Sequence, residues 1–152
     1  MFQVASITKS FKEKAVLKGV SFSIEEGDKI ALLGNNGAGK STLFNIIAGQ
    51  LQADSGTIKT SLNFQREIGM MPQGDLLIED LTLAEFVELK SRMNQQKQAD
   101  INGLLEMVEL RESREQMVGS LSGGQKRRLS LLLTILNHPK LIFLDEPTTG
   151  MD

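Results

Sequence analysis

A chain of 152 residues, 40% apolar and 24% charged, has the size and composition of one folded domain rather than of a disordered or fibrous chain. Its 17 lysines and arginines against 19 aspartates and glutamates leave a net charge of −2, which argues against a general nucleic-acid binder, because counterion release needs a basic face. No cysteine is present, so disulfides, thiolate zinc sites and cysteine nucleophiles are excluded together, and the composition suits a reducing cytosol.

The longest nearly apolar stretches, residues 30–33 and 129–136, fall far short of the roughly 20 residues that cross a bilayer. The first residues carry charges where an export signal needs a continuous apolar run. A membrane, if one matters, is supplied by a partner.

In chain order, Val20, Phe22 and Ile24 alternate with serines and predict a strand with one buried face. After the turn at Gly27 and Asp28, residues 29–33 form a short, almost wholly apolar run that predicts a strand buried on both faces. It stops at Gly34, and a helix is predicted over residues 40–48, with Leu43, Ile46 and Ile47 at helical spacing and Gly49 as terminator. Asp54, Ser55 and Gly56 read as a turn, and residues 68–71 as a strand ended by Pro72. Thr82 with Glu85 forms a capping-box pattern opening a helix over residues 83–93. Ile101, Leu104, Leu105 and Val108 predict a second amphipathic helix, weakened slightly by Gly103. Ser122 with Gln125 opens a third, carrying Leu129, Leu132, Leu133 and Leu136 on one face and ended by Asn137 and Pro139. Residues 141–144 predict another doubly buried strand, leading into Asp145, Glu146 and Pro147.

Gly34, Asn35, Asn36, Gly37, Ala38, Gly39, Lys40 and Ser41 fit GxxxxGK[ST] at every defined position, between a predicted strand and a predicted helix. Glycines let the backbone amides turn inward and the helix adds its N-terminal dipole, so the loop suits a polyanionic phosphate. Lys40 can reach the outer phosphates and the Ser41 hydroxyl can ligate magnesium. A glycine-rich turn that binds nothing is the plain alternative. Asp145 stands at the carboxyl end of a strand, where such sheets place ligands, and can hold magnesium; Glu146 beside it can polarise an attacking water. Alone, the pair would be a solvated strand end.

The set GNNGAGKST, Gln73 after a strand, LSGGQ at residues 121–125, LIFLDEP at residues 141–147 and GMD at residues 150–152 resembles the ATP-binding cassette (ABC) ATPases, from about Phe2 to the last residue. LSGGQ discriminates, since many nucleotide-binding families share the phosphate loop alone. Ser122, Gly123 and Gly124 open a capped helix and offer a second anion site; without the resemblance they would be only a good helix start. The resemblance implies an α/β fold: a P-loop NTPase (RecA-like) core with an N-terminal antiparallel β subdomain and a helical subdomain inserted at about residues 74–120, residues 1–152 forming one partial nucleotide-binding domain. It implies that ATP is held by residues 34–41 with Thr42, and by Ser122, Gly123, Gly124 and Gln125 across a head-to-tail dimer. It implies magnesium on Ser41, Gln73 and Asp145, and catalysis by Glu146 with Gln73 and Lys40. Phe11 resembles the aromatic platform under adenine, with a packed core phenylalanine as the competing reading, and Gln73 would otherwise be a surface glutamine. Asp152 resembles the aspartate that links the two sites of the dimer. The basic cluster Lys126, Arg127 and Arg128 reads as an exposed helix face, and His138 as an ordinary loop residue.

Complete members continue beyond GMD through another strand bearing a switch histidine, so the resemblance implies a chain lacking the C-terminal part of the core, with two apolar strand edges unpartnered, ATP-binding residues intact and little turnover on its own. The leading reading is the ATP-hydrolysing subunit of a membrane transporter, exporter-type and of the multidrug or antibiotic kind, peripheral on the inner face of the membrane through a separate transmembrane permease and working as a homo- or heterodimer. A non-transport cassette of translation or DNA repair, or a non-catalytic remnant, is the alternative.

Overall fold

Sheet opens the chain. The computed structural model describes residues 2–73, 77–94 and 99–146, so Pro147 and the run 150–152, with the role expected for Asp152, lie outside the described residues. The first of its two units, Met1–Gln65, carries a three-stranded antiparallel sheet of β1 (Phe2–Phe11), β2 (Lys14–Ile24) and β3 (Ser55–Thr60), with β1 in the centre. Phe2, Val4 and Ile7 of β1, Leu17 and Ile24 of β2, and Leu43, Phe44, Ile46 and Ile47 of helix α1 (Lys40–Ile47) are buried. The alternation of Val20, Phe22 and Ile24 against exposed serines is as predicted.

β1 escapes a period-two reading because of a bulge. Val4 faces Phe22 and Ile7 faces Val20, so Ala5 and Ser6 together oppose Ser21, and the buried set slips by one residue. Ser6 takes φ 51° and its amide donates to the Ser21 hydroxyl at 2.8 Å. On the other side of β1, Gly56 opens β3 rather than sitting in a turn, at φ 96°; a Cβ there would lie 2.5 Å from the Ser6 carbonyl and 2.6 Å from that of Ala5. Only glycine accepts both the dihedral and the approach.

Residues 29–33 depart from expectation. They are irregular, with Ile30 and Leu32 about half exposed and Leu33 at 88%. They make no ladder among the described residues, and without neighbours on either edge an apolar run has nothing to hold it as a buried strand.

Within the second unit, Arg66–Asp152, β4 (Ile68–Met71) and β5 (Leu141–Leu144) pair in parallel, Ile68 beside Leu141 through Met71 beside Leu144. β5 is a strand as predicted, but it is not doubly buried: Ile142 and Leu144 are exposed by 40% and 42%. Helices α2 (Leu83–Met93), α3 (Ile101–Met107) and α4 (Gly123–Ile135) share one core of Leu83, Phe86, Val87, Leu105, Val108, Leu110, Val118, Leu121, Leu129 and Leu132. Both predicted capping boxes are present: Thr82 with Glu85, and Ser122 with Gln125. Among the described residues no helix is long and apolar enough to cross a membrane.

Asp54 ties β1 to the start of β3. Lys9 Nζ donates to one carboxylate oxygen at 2.8 Å and the Ser10 amide to the other at 2.7 Å; these bonds, the lysine's first, hold the Asp54 carboxyl below its ordinary value. Glu85 is likewise held low, by the Thr82 amide and then its hydroxyl. A depressed carboxyl contributes stability above its unfolded value, about 4, and loses it as pH falls through the folded one. Asp54→Asn is therefore expected to flatten, though not abolish, the acid limb of the stability curve in pH-dependent denaturant melts; an unchanged limb would show that the tether carries no linkage. Gly56→Ala should cost about 1–3 kcal/mol of unfolding free energy in urea titrations, through the strained φ and the carbonyl clash.

Candidate nucleotide site

The phosphate-loop sequence lies between β2 and α1 in the first unit. Gly37 and Gly39 take φ 80° and 98°, and the Ala38 amide closes the turn on the Asn35 carbonyl at 3.0 Å. Gly39 is the N-cap of α1, left-handed and without a side-chain cap. A Cβ at this position would meet Leu17 Cδ2 at 2.8 Å and Val16 Cγ1 at 2.9 Å, so glycine lets the helix start against β2. With no side chain across it, the first turn, including Lys40, Ser41 and Thr42, presents backbone donors at the positive end of the helix. Lys40 Nζ donates to the carbonyls of Gly34 at 2.7 Å and Asn35 at 3.1 Å, which turns the ammonium over the loop. Asn36 and Ser41 are exposed. This is a curled loop of amides with a cation at its mouth, the arrangement that receives phosphates.

Phe11 ends β1 and is 47% exposed, which removes the core alternative; Lys9 Nζ sits 5.8 Å from its ring centroid. The ring can offer a face to a flat ligand.

In the second unit, the ends of β4 and β5 bring three expected residues together. The Asp145 amide donates to the Met71 carbonyl at 2.9 Å, extending the parallel pairing by one step. Asp145 itself is 9% exposed, and Glu146 follows at φ 47°. Gln73 Nε2 donates to Glu146 Oε2 at 3.1 Å, which leaves the amide oxygen as the acceptor end of the side chain.

At α4, the Ser122 hydroxyl accepts from the Gln125 amide at 3.2 Å, and Gln125 Oε1 accepts from the Ser122 amide at 2.9 Å. Gln125 Nε2 also reaches the Ser113 hydroxyl at 3.1 Å. Ser122 and Gly123 are exposed, and a Cβ on Gly123 would meet nothing within 4 Å. The start of α4 is therefore open to a ligand but already capped.

The basic cluster corrects a sequence expectation. Lys126 and Arg128 are paired with Glu79 and Glu109 at 3.1 and 3.0 Å, whereas Arg127 is 3% exposed. α4 is buried on two faces: Leu129 and Leu132 meet the helical core, and Thr134, seven residues after Arg127 and so on the same side, reaches toward the Met70 carbonyl. The repeat from Arg127 to Thr134 was the signal of a second inward stripe. His138 is an exposed loop residue, its amide bonded to the Ile135 carbonyl at 2.9 Å.

Within the second unit the side-chain oxygens of Gln73 and Asp145 are of the kind that suits a hard cation such as magnesium, as is the Ser41 hydroxyl within the first. Among the described residues no three acidic or histidine side chains cluster.

The ABC transporter family matches residues 17–149. The Nod factor export ATP-binding protein I of Rhizobium sp. (strain N33) is 38% identical, over 98% of this chain and 53% of its own length. The uncharacterized ABC transporter ATP-binding protein YxlF of Bacillus subtilis (strain 168) is 38% identical over 100% of this chain and 54% of its own. This chain thus spans about half the length of the curated relatives it matches. The dimeric, post-hydrolysis structure of the ATP-binding cassette MJ0796 bound to ADP and Pi superposes with a TM-score of 0.83 at 29% identity, covering 100% of this chain and 76% of that one. Matched along nearly its whole length in sequence and in fold, the chain belongs to the ABC transporter family of P-loop ATP-binding cassettes.

Proposed function

We propose that this chain binds and hydrolyses ATP as the nucleotide-binding subunit of an ABC exporter of the multidrug or antibiotic type. The observation that carries this reading is the uncapped, glycine-built start of α1 with the Lys40 ammonium turned over it. Family membership and the export ATP-binding protein among the relatives support the transporter assignment.

The amides of residues 34–41 and Thr42 grip the phosphates, and Lys40 leaves the Gly34 carbonyl for the outer phosphates as they arrive. Phe11 stacks beneath the base. Ser41, Asp145 and the Gln73 amide oxygen would hold magnesium, which would supply charge neutralisation for the phosphates. Glu146 accepts a proton from the attacking water, and the amide of Gln73, bonded to it, fixes the carboxylate's direction. Ser122, Gly123, Gly124 and Gln125 serve the nucleotide of a partner subunit in a homo- or heterodimer. Residues 1–152 form one cassette domain with a helical subdomain at about 74–120, which meets a transmembrane permease and keeps the chain at the cytoplasmic face of the membrane. The transported substrate is chosen by that permease.

Calorimetry with Mg·ATP tests the reading. Binding is expected, and Lys40→Ala should weaken it on the order of 10- to 100-fold, the loss of charge-assisted bonds to phosphate. Absence of affinity in the folded wild type would overturn the assignment. Glu146→Gln should keep Mg·ATP affinity and lower hydrolysis by about 100-fold or more wherever turnover is measured.

A further inference from the structure

We propose that Arg127 is a positioning residue for the metal-binding and water-activating end of the second unit, holding the backbone of Gln73, Asp145 and Glu146 in register; the inference rests on the function proposed above. Its guanidinium, buried to 3% exposure, donates from one arm to the Pro72 carbonyl at 2.9 Å. The other arm donates to the carbonyls of Asp145 at 2.5 Å and Glu146 at 2.6 Å. Pro72 immediately precedes Gln73, so one side chain grips the chain at the exit of both parallel strands, next to all three residues assigned to metal and water.

The local backbone explains why a grip is needed. β4 and β5 are four residues each, and past them the Asp145 amide makes the last bond of the pairing. Glu146 then takes φ 47°, a left-handed conformation that is uncommon and costly for a non-glycine residue. Two charge-assisted bonds from one guanidinium arm to consecutive carbonyls impose it. The fork is planar and its arms are fixed relative to one another, so the separation between the Pro72 carbonyl and the Asp145–Glu146 carbonyls is fixed as well. Through these three bonds the side chain acts on the carboxylates by way of their own main chain. Arg127 is also on α4, five residues beyond Ser122, so the helix that begins at the signature is the helix that carries the grip.

The test separates positioning from simple stability by measuring ATP affinity twice by calorimetry, with magnesium and with EDTA, for the wild type, Arg127→Met, Arg127→Lys and Asp145→Asn, alongside thermal melts. The wild type should bind ATP more tightly with magnesium, and Asp145→Asn should lose that gain. Arg127→Met should lose about 10- to 100-fold of the magnesium-dependent gain, the range for removing an outer-shell support, while its EDTA affinity stays near that of the wild type. Arg127→Lys keeps the charge but not the fork and should recover only part of the gain. A full magnesium gain in Arg127→Met, or equal losses with and without metal, would overturn the proposal. Should Arg127→Met fail to fold, Arg127→Lys decides: a wild-type gain in it overturns the grip. No ATP affinity in the wild type would instead overturn the nucleotide reading itself, and the role of Arg127 with it.

Discussion

The close contact of Gly39 with β2 is the constraint on which the phosphate-loop end of the first unit depends. A helix start has donors to give away only if nothing of its own chain covers it. Here the N-cap position is pressed against Val16 and Leu17 in a left-handed conformation, which admits glycine and therefore admits no capping side chain. Packing and chemistry are thus the same fact: the residue that fits the crowded approach is the residue that leaves the amides bare. The sheet behind it is held with similar economy, by a bulge at Ala5 and Ser6 and a glycine opposite it at position 56.

The other helix starts show what α1 lacks. At α2, the amides of Leu83 and Ala84 bond to the carbonyls of Gln116 and Arg114, and that of Glu85 to the Thr82 hydroxyl. That end is closed and structural, and its box anchors a core of Leu83, Phe86 and Val87. α4 is intermediate, self-capped but exposed. Three helices of one chain thus carry their first amides in three conditions, and the sequence pattern around each, glycine or serine-glycine or threonine-leucine, decides which.

Features encoded over a few adjacent residues were legible in the sequence. Both capping boxes, the extent of α2, the strand Ile68–Met71 and the phosphate loop depend on local chemistry, and each is present. What depended on distant neighbours was not legible. β1 was hidden because its bulge breaks the alternation, and β3 because Asp54 and Gly56 read as turn residues while one ties strands together and the other clears a carbonyl. Residues 29–33 and Ile142 and Leu144 were read as buried because apolar character records a preference, not a neighbour. Arg127 was missed between two ion-paired, half-buried basic residues, since adjacent positions on a helix point about 100° apart; its spacing to Thr134 carried the information. In the site, the family motifs located Gln73, Asp145 and Glu146, but not the guanidinium that joins their backbones.

The box at the start of α4 also sets a threshold on what can bind there. Because the Gln125 amide already donates to Ser122, an incoming oxygen that claims it replaces an acceptor instead of filling a gap, and it keeps only the difference between two bonds. A neutral hydroxyl or amide oxygen offers nearly no difference. A formally ionised oxygen does, since charge roughly doubles the strength of such a bond. At this one amide, self-capping therefore sets a bar that an ionised oxygen clears more easily than a neutral one.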